Sequence, residues 1–372
     1  MVMKLSLIIA LVLLMSACAP KITETPGGDP NITFIGRTDF SDPAAPKQWA
    51  AGGYFTFGFE GGACVINISD ENVNFRRANI LEIAVDDWPS IPVITKDTAT
   101  CIVIGEPNAE LSKRIGGNAV KCLQILTPGI HHVTVCRNTE TAMGYTQVNS
   151  IQAQKVFKWT PGTKLKIEFI GNSITCGAEA DTMLMPSKQY QWGDWHRAYL
   201  GYGPRTARKL GAQWSLVSVS GIGLIHSCCE MEETMPLSYD KFVLRYNQKP
   251  YDFSTFKPDL ICICLGQNDG IQDSTAFCTA YVDFVKKVKS LNPNAKKVVL
   301  LTSPMDNGEL TVWLKKMLDS VSKQLKNDGI SDVYTFHFSR AWNSGGATHP
   351  DIEEHEQIAN ELSNYLYSIL KK

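Results

Sequence analysis

The sequence predicts a two-domain protein: an amino-terminal β-sandwich followed by a carboxy-terminal α/β/α domain built on a mostly parallel sheet. Two observations point to it. Ahead of Thr160-Pro161-Gly162, short β-rich runs recur between glycine-containing turns and no long amphipathic helix is visible. Beyond that point strands and helices alternate. A length of 372 residues suits two domains, and 44% hydrophobic residues can fill two cores. Lys plus Arg is 36 against 37 Asp plus Glu, a net charge of -1, so no basic field exists to hold nucleic acid. With 20% charged and 9% aromatic residues, a largely disordered chain is also excluded.

Residues 1–17 read as a signal rather than as part of the fold. Lys4 supplies a short positive start and 5–15 an apolar run, too short for a bilayer span of about 20 residues. Met15-Ser16-Ala17-Cys18 resembles a bacterial lipoprotein lipobox. That resemblance implies cleavage before Cys18, lipidation of Cys18 and a membrane-anchored protein of the bacterial cell envelope, at the outer membrane. The polar segment 18–31, with Pro and Gly, is expected to be the lipidated tether. Ten of the 11 cysteines follow Cys18. Cys262 and Cys264 sit in an apolar run and read as buried small hydrophobes. The adjacent Cys228 and Cys229 are not expected to bridge each other. No C-x-x-C spacing supports zinc, so neither a metal nor a cofactor is expected.

The sandwich is expected over 32–160. Its strand candidates are 54–59, 63–68, 80–85, 101–104, 119–125, 131–136 and 153–159, separated by Gly52-Gly53, Gly61-Gly62, Gly116-Gly117 and Pro128-Gly129. The second domain is expected over 164–372. Strands are placed at 165–170, 214–219, 260–265, 298–301 and 333–338. The run 260–265 is continuously apolar, as a strand covered on both faces must be. Helical spacing appears in a stretch ending near 210, then over 276–291, 310–325 and 352–370. Residues 223–255 show little periodicity and are expected to shape a groove.

Chemistry gathers where these strands end. Gly171-Asn172-Ser173-Ile174-Thr175 follows the first, Ser220-Gly221 the second, Gly266-Gln267-Asn268-Asp269 the third and His349-Pro350 the last. In a parallel sheet such positions line one crevice. Ser173 offers a hydroxyl nucleophile and His349 a base. The N–H groups of Ser173 and Gly221, with the Asn268 amide, can hold a developing oxyanion. Taken singly these residues read as an N-cap, a turn glycine and a turn asparagine; taken in this order they read as an acyl-transfer site.

Four such blocks, in this order over 164–372, resemble the SGNH hydrolases, also called the GDSL family. The string from Ile167 to Gly177, and Tyr251-Asp252-Phe253 before Lys257-Pro258-Asp259, are similar to carbohydrate esterase family 2. So are Ile35-Gly36-Arg37-Thr38 and 129–135 with Glu140. The resemblance implies a jelly-roll in front of an SGNH domain. It also implies an acetylesterase acting on O-acetylated plant polysaccharide such as xylan or glucomannan. Two departures stand out. Asn172 replaces the family's usual Asp, which keeps the shape without the charge. Gly346 stands three residues before His349, where the wider pattern has Asp, so a Ser173–His349 dyad is expected, with a backbone carbonyl orienting the ring. Trp192, Trp195 and Trp342 are candidate sugar platforms, while His196 and His226 fall in loops near the site without a role. An esterase for other small esters and a non-catalytic polysaccharide-binding lipoprotein are the alternatives.

Overall fold

The computed structural model describes residues 21–71, 78–96, 99–122, 125–162, 164–184, 191–245, 249–305 and 308–371. The signal segment and Cys18 lie outside the described residues. Among the described residues no helix is long and apolar enough to cross a membrane.

Two packed sheets form the first domain. One runs through Ala119–Cys122, Ala99–Gly105, Ala63–Asp70, Thr146–Ala153, Lys47–Gln48 and Thr38–Asp39, with Thr23–Pro26 also pairing on Thr146–Ala153. The other runs through Lys155–Phe157, Tyr54–Gly61, Gly129–Arg137, Ile80–Val85 and Ile91–Ile94, with Thr33–Ile35 on Tyr54–Gly61. Alternate residues such as Phe55, Phe57 and Phe59 point inward to meet Ile66, Ile83, Ile102 and Val133.

Three expectations need correction here. The tether ends earlier than residue 31, because Ile22 is buried and Thr23–Pro26 is hydrogen-bonded into the sandwich. The strand Thr146–Ala153 has no counterpart in the sequence reading. Its register shifts between Val148 and Ser150, so inward residues do not keep a period of two. The segment 153–159 contributes only Lys155–Phe157, since the chain leaves one sheet at Ala153 and joins the other.

The second domain is a five-stranded, wholly parallel sheet in the order Gln213–Ser218, Lys166–Gly171, Leu260–Cys264, Lys297–Leu301 and Val333–Phe336. All of Leu260–Cys264 is buried. Ile261 and Ile263 face the helices Ser274–Leu291 and Glu309–Asn327, through Phe277, Tyr281 and Leu318. Cys262 and Cys264 face the other way, toward Ile358 and Leu362 of the helix Ile352–Leu370. The strand order reverses between Lys166–Gly171 and Leu260–Cys264, which opens a crevice beyond their carboxyl ends.

A polar seam joins the domains beside an apolar one. Tyr54 stacks on Trp214 with ring centroids 4.0 Å apart, and the Trp214 indole N–H donates to Gly52 O at 3.0 Å. Nearby, the Arg197 guanidinium donates to both oxygens of Glu82, at 3.0 and 3.1 Å, and pairs with Asp181. Asn138 donates to Glu82 at 2.8 Å and accepts the Tyr199 N–H at 3.0 Å. The 223–255 segment divides between two tasks. Its first residues adjoin Gly221, whereas beyond Met235–Ser238 it braces the sandwich, where Arg37 donates to Tyr239 O at 2.6 Å and to Lys241 O.

Glu82 is fully buried, so removing its cation strands a charge. Arg197→Ala is expected to lower unfolding free energy by about 3–5 kcal/mol. A urea titration followed by fluorescence checks this, and an unchanged midpoint would contradict the buried pairing.

Candidate active site

Ser173 opens the short helix Ser173–Cys176 directly after the Lys166–Gly171 strand. Asn172 is its N-cap, accepting the Ile174 N–H at 3.1 Å, so the neutral amide does the capping expected of the usual Asp. Ser173 and His349 are each 7% exposed. The Ser173 hydroxyl lies 2.8 Å from His349 Nε2. On the far side of the ring, Nδ1 lies 3.1 Å from Ala347 O and 3.2 Å from Gly346 O. A carbonyl only accepts, so Nδ1 carries the proton and Nε2 is left as the acceptor for Ser173. That is the tautomer a general base requires.

The carbonyls reach back to the ring because of the backbone. Ala347 and Thr348 have φ of 46° and 60°, two consecutive non-glycine residues in the left-handed region. Nor does the loop have room for the aspartate of the wider pattern. A Cβ on Gly346 would sit 2.7 Å from Glu179 Oε2 and 2.8 Å from Trp195 Cε3. Carbonyl dipoles therefore orient the ring without a carboxylate in contact with it. Burial lowers the His349 pKa below its ordinary value, against the Gly346 and Ala347 carbonyls, which raise it.

Gly221, in the second strand's loop, has φ of 83°, a conformation suited to glycine. A Cβ there would also meet Cys228 Sγ at 3.0 Å. Contrary to expectation, Cys228 and Cys229 form a disulfide, in a turn where Cys229 and Glu230 both take positive φ. From the third strand's loop the Asn268 amide donates one hydrogen to Ile222 O at 2.9 Å, and an NH2 group has a second to give. The neighbouring Asp269, buried, accepts the N–H groups of Leu224, Ile225 and His226 at 2.7–3.0 Å. It ties the Asn268 loop to the Gly221 loop. The sequence assigned Asp269 no part in the site; its signal was its place beside Asn268, after a fully apolar strand.

Glu140 is the second residue whose place the sequence did not reveal. It lies on the sandwich, just past Gly129–Arg137, yet its carboxylate is buried beneath the loops of the other domain. Oε1 accepts the Trp192 indole N–H at 2.8 Å and lies 3.4 Å from His196 Nε2, and Oε2 accepts the Ser220 N–H at 2.8 Å. Burial pushes its carboxyl up, but His196, Ser220 and Trp192 outweigh burial and hold it at about 2.

The three tryptophans separate. Trp192 is half-buried, edge-on to His349 with centroids 6.0 Å apart. Trp195, also half-buried, walls the Gly346 turn. Trp342 is 1% exposed and packs edge-on against Phe338 at 5.9 Å, so it is core and has no face for a sugar. His196 is buried between Glu140 and Glu179, and His226 is exposed next to Asn268. No group of three or more His, Cys, Asp or Glu among the described residues is placed to hold a metal. A cavity of about 570 Å³, lined by Phe34, Phe242, Tyr251 and Phe256, lies elsewhere, ahead of the amino end of Leu260–Cys264.

A serine hydroxyl on a histidine nitrogen of the acceptor tautomer, after the strands of a parallel sheet, defines a serine acyl hydrolase. Residues 169–355, half of the chain, match the GDSL-like Lipase/Acylhydrolase family, and the chain belongs to it. Within that class it has the build of the family 2 carbohydrate esterases, residues 34–158 matching the Carbohydrate esterase 2 N-terminal domain. It is 27% identical over 355 residues to the cellulase/esterase CelE of Acetivibrio thermocellus, covering 92% of this chain but only 40% of that protein. Identity is 25% over 353 residues to an acetylxylan esterase / glucomannan deacetylase of Cellvibrio japonicus, covering 92% and 90%. A family two carbohydrate esterase from Clostridium thermocellum, solved in complex with cellohexaose, superposes with a TM-score of 0.76. It is 27% identical, over 91% of this chain and 99% of that one.

A base must be neutral to accept a proton, and His349 has a lowered pKa. The acid limb of kcat/KM for an acetyl ester is expected to be centred below pH 6.5, with unit slope. An acid limb centred at or above 6.5 contradicts the buried, carbonyl-held ring.

Proposed function

We propose that this chain is a serine carbohydrate O-acetylesterase working on acetylated plant polysaccharide, xylan or glucomannan. The observation that carries it is the 2.8 Å approach of Ser173 Oγ to an acceptor His349 Nε2. The front domain and the names of the relatives support the choice of substrate. Ser173 attacks the acetyl carbonyl while its proton passes to His349 Nε2. The oxyanion is held by the Ser173 and Gly221 N–H groups and the free hydrogen of the Asn268 amide. Collapse breaks the C–O bond to the sugar, whose oxygen takes the proton from His349. Water then attacks the acetyl-Ser173 ester, losing its proton to the same nitrogen, and acetate leaves as Ser173 is reprotonated. Trp192 and Trp195 flank the base and offer aromatic faces to the sugar.

Acetate release from acetylated glucomannan and xylan, by protein lacking residues 1–18, tests this. Ser173→Ala is expected to lose about 10⁴-fold or more in kcat, and Asn268→Ala about 100–1,000-fold. Equal release by the Ser173 variant rejects the serine mechanism. Turnover of longer acyl esters in preference to acetyl rejects the deacetylase.

We further propose that Cys18 is lipidated and anchors the enzyme to the cell envelope, on the strength of Met15-Ser16-Ala17-Cys18. Full-length protein is expected in the detergent-soluble membrane fraction, and Cys18→Ala outside it. Equal membrane retention of the two removes the anchor.

A further inference from the structure

We infer that Glu140, supplied by the sandwich, is a positioning residue of the esterase site: its carboxylate holds the oxyanion loop and the aromatic wall of His349 in register. The inference rests on the acyl-transfer reading of Ser173 and His349 but not on which ester is the substrate.

Glu140 is 2% exposed, in a domain that contributes neither nucleophile nor base. It nevertheless reaches the loop of the oxyanion donor, since Oε2 takes the N–H of Ser220, the residue before Gly221. With that bond made, the Val219–Ser220 peptide, one before the peptide that carries the Gly221 N–H, is held in one orientation. Oε1 takes the indole N–H of Trp192, whose ring lies edge-on to His349. One carboxylate thus bonds both the loop that carries Gly221 and the loop that carries Trp192. The Cys176 thiol, from the helix that Ser173 begins, approaches Oε2 at 3.7 Å.

The loop that carries Glu140 is itself held rigid. Arg137 is buried and donates to the carbonyls of Thr139, Glu140 and Gly144 at 3.0, 3.1 and 2.6 Å. Thr139 is bonded to Asn79, which donates to Asp70 at 3.0 Å. A carboxylate placed only to join two domains has no need of such a frame or of two donors from catalytic loops. Acceptor-only chemistry is also essential. Ser220 N–H, Trp192 Nε1–H and the facing nitrogen of His196 crowd both oxygens, and an amide would present an NH2 group to one of these donors.

Glu140→Gln in the full two-domain protein tests this. Oxyanion donors act in the transition state, so loss of register is expected in kcat rather than KM. The expected loss in kcat is about 10–100-fold, less than for outright deletion of a donor, with KM within about threefold. A fluorophosphonate, which needs an activated serine and an oxyanion site but no sugar, is expected to label Ser173 more slowly by the same factor. If Glu140→Gln does not fold, Glu140→Asp keeps the charge and withdraws it by one methylene, and the same split is expected. Unchanged kcat and labelling in a folded variant overturn the inference. So does a fall in stability with neither rate changed. Wild-type protein that is labelled but releases no acetate overturns the deacetylase and leaves the Glu140 comparison intact.

Discussion

Glu140 and Glu82 are both carried by the sandwich, and both are buried against loops of the α/β domain. A carboxylate out of water costs several kcal/mol unless donors surround it. Here the donors are the Ser220 N–H and the Trp192 indole for one, and Arg197 with Asn138 for the other. Arg197 lies on a stretch that also frames Ser173: its N–H bonds Gly177 O at 2.9 Å, closing the turn after the nucleophile helix. Satisfying the buried charges and placing the loops are thus one requirement. Separating the domains would strip Glu82 of its cation and Glu140 of the Ser220 and Trp192 donors, and leave both loops without these anchors, so the sandwich belongs to the site as much as to the fold.

The dyad has a cost and a benefit that follow from the same backbone. Two left-handed residues, Ala347 and Thr348, hold carbonyl oxygens against His349 Nδ1, and each such residue costs of order 1–2 kcal/mol. In return the ring has its tautomer without a buried carboxylate beside it. A carbonyl dipole stabilises imidazolium less than a full negative charge does. The resting base is accordingly more neutral, and the proton it takes from Ser173 is held less tightly and passed on more readily to the departing sugar oxygen.

Much of this was legible in the chain. Leu260–Cys264 announces itself because both faces of the sheet are covered, and the long helices because their apolar residues recur every three or four positions. The four blocks could be read because parallel-sheet topology sends every strand end to one crevice. What stayed hidden depends on distance across the fold. The bulge near Asn149 erased the alternation of Thr146–Ala153, and Thr23–Pro26 is too short and polar to show a pattern. Glu140 lies 33 positions before Ser173 and is assigned by packing, not spacing. Trp342 illustrates the reverse error. An aromatic ring in the second domain suggested a platform, but its side chain turns to Phe338 and Gln357.

Gly346 carries a consequence for descent. The position where a third acid would stand is filled from outside by the Trp195 ring and the Glu179 carboxylate. A lineage that inherited this arrangement cannot drift back to a triad by changing one codon. Trp195 and Glu179 must first shrink or turn aside, and the 346–348 turn must relax, before an acid gains anything by appearing there. Until then each intermediate is worse than its parent. The dyad is held in place by its neighbours' bulk, and a triad in a related chain should come with smaller residues at both of these neighbouring positions.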